Sequence, residues 1–153
     1  MPSVRAQPTL IAVGASAGGI AALSTLLGGL SRELQTPIVI ALHTQGPDMQ
    51  PLLTILGQRG GRSVLEAQPG LRIEAGKAYL APGGYHLLVE RDQTLSLSVD
   101  ERVCHARPSI DVLFESVADA CAGTAIGVVL TGLNADGAQG LARIRAVGGI
   151  ALV

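Results

Sequence analysis

The sequence predicts an α/β domain built around a mainly parallel sheet, with one antiparallel hairpin as an excursion from it. Three observations carry that expectation. Short, wholly apolar runs recur at residues 10–13, 38–42 and 125–130, as strands covered on both faces do. Stretches with helical apolar spacing lie between them, on both sides of a central alternating segment. The chain has 153 residues, of which 48% are hydrophobic and 15% charged, enough for one domain with a sizeable core and far from a disordered composition.

The elements follow in order. Residues 10–13 end in the glycine turn Gly14-Ala15-Ser16-Ala17-Gly18-Gly19. Residues 19–30 carry Ile20, Leu23, Leu27 and Leu30 at helical spacing and stop at Gly28-Gly29. Pro37 opens the run 38–42, which ends at His43. After Pro47-Asp48 a helix-like stretch reaches Leu56, with Gly57 expected at its end. Residues 63–67, 77–80, 86–90 and 94–99 are short and alternating. Arg91-Asp92-Gln93 is a turn signal, so the last two read as the hairpin. Pro108 and Ser109 stand where a helix start wants them, and Ile110, Leu113, Phe114, Val117 and Cys121 form one stripe behind them. A third buried strand at 125–130, a last helix at 136–147 and the start of a strand at 150–153 complete the chain. Because it stops inside an apolar strand, the expectation is that part of the domain is lacking after Val153.

Composition excludes several classes of function. Eleven basic and twelve acidic residues leave a net charge of −1, which offers no footprint for nucleic acid or anionic lipid. Two Tyr, one Phe and no Trp cannot build a base-stacking platform. Cys104 and Cys121 lack CxxC spacing, so no four-ligand metal site and no resident metal or cofactor is expected; they read as thiols in a reducing compartment. No charge lies between Arg5 and Arg32, a stretch long enough for a membrane span. Gly14, Gly18, Gly19, Gly28 and Gly29, with Ser16, Ser24 and Thr25, break it up, so the expectation is a soluble, cytoplasmic protein with no membrane insertion.

In parallel sheets, reacting groups gather at the carboxyl ends of the strands. The three buried runs end at Ser16, at His43, and at Thr131-Gly132-Leu133-Asn134-Ala135-Asp136. The first fits G-x-S-x-G between a strand and a helix, a turn that exposes a serine hydroxyl to the helix N–H groups. The same residues serve equally as a helix entry with Ser16 as its cap, or as a phosphate cradle. They fit neither G-x-G-x-x-G nor a Walker A loop, since Ser16 replaces the middle glycine and no Gly-Lys-Ser/Thr follows. His43 alone reads as an ordinary structural histidine; at the end of a strand beside Ser16 it becomes a candidate base. His86 and His105 fit that role less well. Asp136 follows a buried strand through a short loop and reads as a cap of the last helix, as the carboxylate behind His43, or as both. Together the three describe a nucleophile, a base and an orienting carboxylate. Their order, Ser…His…Asp, is not that of the α/β-hydrolases.

Several runs in this chain are similar to a known family. Val13-Gly14-Ala15-Ser16-Ala17-Gly18-Gly19 and His43 come first. They are followed by Tyr79-Leu80-Ala81-Pro82-Gly83 with His86, Arg107-Pro108-Ser109-Ile110-Asp111-Val112-Leu113-Phe114, Leu130-Thr131-Gly132, and Asp136-Gly137-Ala138. Over nearly its whole length the chain resembles the catalytic domain of the chemotaxis protein-glutamate methylesterases. The resemblance implies a doubly wound, Rossmann-like sheet with helices on both faces. It also implies a cofactor-free serine hydrolase that demethylates glutamate methyl esters, and deamidates glutamines, on the cytoplasmic helices of chemoreceptors. It assigns the triad to Ser16, His43 and Asp136, and the oxyanion hole to the backbone N–H groups of Ala17 and Leu133. Departures from the family pattern at Ala17, Leu42 and Leu133-Asn134 imply a different substrate groove. The chain is expected to be one catalytic domain, 1–153, with no receiver domain, so that any such control acts in trans. A catalytically silent module that docks on receptors or a partner is the alternative from another class, and a nucleotide-binding domain a third.

Overall fold

A computed structural model describes residues 8–44, 48–130 and 135–153. Eight strands and four α-helices follow along them: β1 (Leu10–Ala15), α1 (Ile20–Gly29), β2 (Ile38–Leu42), α2 (Gln50–Gly60), β3 (Val64–Glu66), β4 (Ala78–Leu80), β5 (His86–Val89), β6 (Leu95–Ser98), α3 (Ile110–Cys121), β7 (Ala125–Val129), α4 (Ala138–Ala146) and β8 (Ile150–Leu152). Six strands form a parallel sheet in the order β3-β4-β2-β1-β7-β8, and β5 and β6 form the antiparallel hairpin apart from it. The predicted fold class is therefore the observed one. No helix among the described residues is long and apolar enough to cross a membrane, and the uncharged stretch after residue 8 is β1 followed by α1.

The central strands are apolar throughout because both faces are covered, and the pleat sorts their side chains by parity. From β1, Leu10 and Ala12 join the core shared with α3, α4 and the hairpin, while Ile11, Val13 and Ala15 join the core shared with α1 and α2. In β2, Val39 and Ala41 face the first core and Ile38, Ile40 and Leu42 the second. The chain leaves β1 toward β2 on one side and reaches β7 on the other, so the sheet's order reverses at β1, which is where such folds open a crevice.

One expected boundary moves. The second helix does not end at Gly57 but continues to Gly60, because Gly61 supplies the left-handed residue (φ 60) whose N–H closes on the Gly57 carbonyl at 3.1 Å. Helices α3 and α4 approach closely at Gly140, where an added Cβ would stand 2.6 Å from Phe114 Cβ and 3.1 Å from Asp111 Cα. Neither neighbour is the tip of a flexible chain. Gly140→Ala is therefore expected to lower the unfolding free energy by ~1–3 kcal/mol, as overpacked contacts do. Gly29→Ala, with nothing within 4 Å of its added Cβ, should hold or gain up to about 1 kcal/mol from helix propensity. Urea unfolding of the two variants checks the contrast in sign.

Candidate active site

Three neighbouring strand ends build the site, with β1 in the middle. The His43 N–H donates to the Ala15 carbonyl at 3.0 Å, one rung past the Ala15–Leu42 pair, so Ser16 and His43 leave adjacent strands at the same level. On the other side the Leu130 N–H donates to the Gly14 carbonyl at 3.0 Å, continuing the β1–β7 ladder toward the loop that carries Asp136.

Ser16 has extended backbone (φ −78, ψ 176) and precedes a single 3-10 turn, Ala17–Gly19, whose last N–H returns to the Ser16 carbonyl at 2.8 Å. The turn is thus unstrained, unlike a nucleophile elbow. Ser16 holds the cap position, but its side chain makes no capping bond there. The expected oxyanion donor Ala17 begins this turn; its counterpart Leu133 lies outside the described residues.

His43 and Asp136 meet. Nε2 of His43 stands 2.8 Å from Oδ2 of Asp136, with the histidine side chain 16% exposed and the carboxylate fully enclosed. The same Oδ2 accepts the Ile110 N–H at 2.7 Å, while Oδ1 accepts the Asp111 N–H at 2.9 Å and the Ser109 hydroxyl at 2.8 Å. Three of these donors belong to the start of α3, where unpaired N–H groups and the helix dipole favour an anion. Burial pushes the Asp136 carboxyl up, but the bonds from His43, from the Asp111 and Ile110 backbones and from Ser109 together outweigh it and hold the group below its usual 3.8. A carboxylate ionised in this way only accepts, so His43 donates through Nε2 and keeps Nδ1 as its basic nitrogen. The ring is turned the opposite way from the serine-protease template, where Nδ1 faces the aspartate.

One sequence reading is corrected here. Asp136 does not cap the helix that follows it. Gly137 takes the cap position of α4, at a φ of 113 that glycine adopts without strain, and Asp136 caps α3 instead. The carboxylate that serves α4 is Asp111: its Oδ1 accepts the Gly137 N–H at 2.9 Å and the Gly140 N–H at 2.7 Å. The two helices thus exchange carboxylates.

The sequence assigns no place at the site to Asp111 or His86, and to Ser109 only a helix start. Ser109 was expected as the α3 cap, and its Oγ does accept the Val112 N–H at 3.3 Å; its bond to Asp136 carried no sequence signal. His86, at the start of the hairpin, is 1% exposed and accepts the Ser109 N–H on Nδ1 at 3.1 Å. It therefore carries its proton on Nε2, which reaches the Glu101 carbonyl at 2.9 Å. This Ser–His contact is not a second nucleophile, because it runs through the backbone and the Ser109 hydroxyl is spent on Asp136.

Cys104 comes close to the pair of aspartates: its sulfur and one oxygen from each of Asp111 and Asp136 lie within 4.8 Å of one another. Both oxygens of Asp136 and Oδ1 of Asp111 already accept N–H groups, so a cation there would compete with the donors that hold the two helix starts. Partial desolvation and then the charges of Asp136 and Asp111 push the Cys104 thiol up, away from the thiolate form a nucleophile needs.

The family model described as CheB methylesterase matches residues 11–153. A Leptospira interrogans protein provisionally named protein-glutamate methylesterase/protein-glutamine glutaminase is 45% identical over 143 residues, 94% of this chain and 74% of that protein. Proteins bearing the same name from Maricaulis maris and Caulobacter vibrioides are 35% and 42% identical, and the chain spans only 38% and 41% of their lengths. Among solved structures, the catalytic domain of Thermotoga maritima CheB methylesterase superposes with a TM-score of 0.89 at 26% identity, over 95% of this chain and 79% of that one.

The depressed Asp136 carboxyl has a consequence for stability. A group lowered by folding stabilises the native state fully above its unfolded value, and the contribution disappears as pH falls through the folded value. Wild type should therefore lose its stability advantage over Asp136→Asn as pH is taken from about 5 to below 3.8. Melting temperatures of the two proteins across that range check it; a gap that widens on acidification would contradict the assigned ionisation.

Proposed function

The chain belongs to the CheB methylesterase family, and from that premise we propose that it is a serine hydrolase acting on glutamate methyl esters through an acyl-enzyme on Ser16. The observation that carries this reading is the His43–Asp136 pair, 2.8 Å apart, at the strand end next to Ser16. In the forward step Nδ1 of His43 takes the Ser16 proton as Oγ adds to the ester carbonyl. Asp136 holds the imidazole by Nε2 and stabilises the imidazolium that forms. The tetrahedral oxyanion is received by the Ala17 backbone N–H, and on the motif match by that of Leu133. Collapse expels methanol, which takes the proton from Nδ1, and leaves Ser16 esterified by the glutamyl group. Water, deprotonated by the same nitrogen, releases glutamate and the free serine. With a glutamine side chain the leaving group is ammonia, which gives the deamidation that the relatives' names carry.

The substrates we assign are methylated glutamates on the cytoplasmic helices of chemoreceptors. The setting is therefore the cytoplasm. None of these steps calls for a metal or cofactor.

Fluorophosphonate labelling tests the nucleophile without needing the natural substrate. Wild type is expected to label at Ser16, and Ser16→Ala not at all. On a peptide bearing a glutamate γ-methyl ester, Ser16→Ala and His43→Ala should each lose about 10³-fold or more in kcat. The double variant should be no worse than either, since the groups act as a unit. Losses that multiply, or a labelled Ser16→Ala protein, would overturn the triad.

A further inference from the structure

Behind the proposed triad lies a second line of contacts that runs from the hairpin to Asp136. We propose that Ser109 is a positioning residue for the reaction: its hydroxyl sets the plane of the Asp136 carboxylate so that Oδ2 meets His43, and His86 in turn fixes Ser109. The inference rests on the hydrolase reading above.

The geometry assigns every proton along this line. A carboxylate can rotate about its Cβ–Cγ bond, and Oδ2 serves His43 only when Oδ1 is held on the opposite side. The Ser109 hydroxyl holds it at 2.8 Å, with the Asp111 N–H beside it at 2.9 Å. Ser109 Oγ also accepts the Val112 N–H, so its own hydrogen is directed away from the helix, toward Asp136. Its backbone N–H donates to Nδ1 of His86, which compels His86 to be neutral and to send its Nε2 proton to the Glu101 carbonyl. Ser109 and His86 are 0% and 1% exposed, so water cannot replace either partner without opening the site. His86 starts β5, and the hairpin it belongs to is tied to α3 again by the Val89 N–H on Ser116 Oγ at 2.9 Å. Partners that hold a reacting group's own orienting ligand commonly matter by one to two orders of magnitude, as they do behind metal-bound histidines.

A structural cap and a positioning hydroxyl respond differently to substitution. Glycine is nearly as good a helix cap as serine but has no hydroxyl, whereas threonine keeps both properties. Ser109→Gly is therefore expected to label with fluorophosphonate roughly 10- to 100-fold more slowly at saturating probe, with the half-saturating concentration unchanged. Ser109→Thr should recover most of the wild-type rate. The downfield proton resonance of the His43 Nε2–H should shift or broaden in Ser109→Gly and return in Ser109→Thr, a signature that loss of a cap alone would not move. Ser109→Cys, close in size and a weak donor, is the reserve should the glycine variant not fold, and slowed labelling is again expected. A folded Ser109→Gly or Ser109→Cys that labels at the wild-type rate, or a threonine variant as slow as the glycine one, would overturn the proposal. Ser16→Ala run beside them separates the two readings. If it labels, the triad itself is wrong; if it is silent while Ser109→Gly matches wild type, only the positioning role fails.

Discussion

The Asp136 carboxylate, buried against the first turn of α3, is the interaction on which the site and much of the fold depend. A carboxylate taken out of water costs several kcal/mol unless its oxygens are satisfied. Its donors among the described residues include three from one helix start and His43. Asp111 returns the arrangement by accepting two N–H groups at the start of α4. The first turn of α3 and the residue just before the α4 cap therefore each supply the anion that the other helix's free N–H groups require. Neither helix can shift along its axis without unpairing a buried charge.

This exchange needs the two helices to be close, and small residues make them so. Gly140 lets α4 lie against Phe114 and the Asp111 backbone. Gly127 on β7 leaves room beneath for Ile144 and Leu141, and Gly14 on β1 does the same for Ile110. Ile110 is the residue whose N–H binds Asp136 Oδ2, so the packing of α3 on β1 also sets the height of the carboxylate above the strand ends. Core packing and site geometry are in this sense one arrangement, with β1 and α3 as its common parts.

How much was legible differs from residue to residue. Buried strands were plain, because both faces of β1, β2 and β7 are apolar and their ends carry Ser16, His43 and the loop to Asp136. The argument that parallel strands bring such ends to one edge needs only topology, and His43 and Asp136 do meet there. Gly57 reads as the end of α2 in the sequence, since a glycine inside a helix and one that ends it look alike until the left-handed φ of Gly61 is seen. Asp136 as a cap was legible, but not which helix it caps. In the sequence Asp111 stands only within the run that carries the family resemblance, His86 reads as the start of a hairpin, and Ser109 as the cap of α3 alone. Their further partners lie more than 20 residues away, and no periodicity records them.

The sequence by itself determined the alternation of strands and helices, the sides of the sheet that must be covered, and the residue types at the strand ends. Those follow from local propensity and from the period of apolar side chains, which neighbours along the chain specify. Only the tertiary structure decided which nitrogen of His43 faces Asp136, which carboxylate serves which helix, and that Ser109 and His86 stand behind the site. Such choices depend on hydrogen-bond directions between segments distant in sequence, and a hydrogen bond is set by where its partner is, not by what precedes it in the chain.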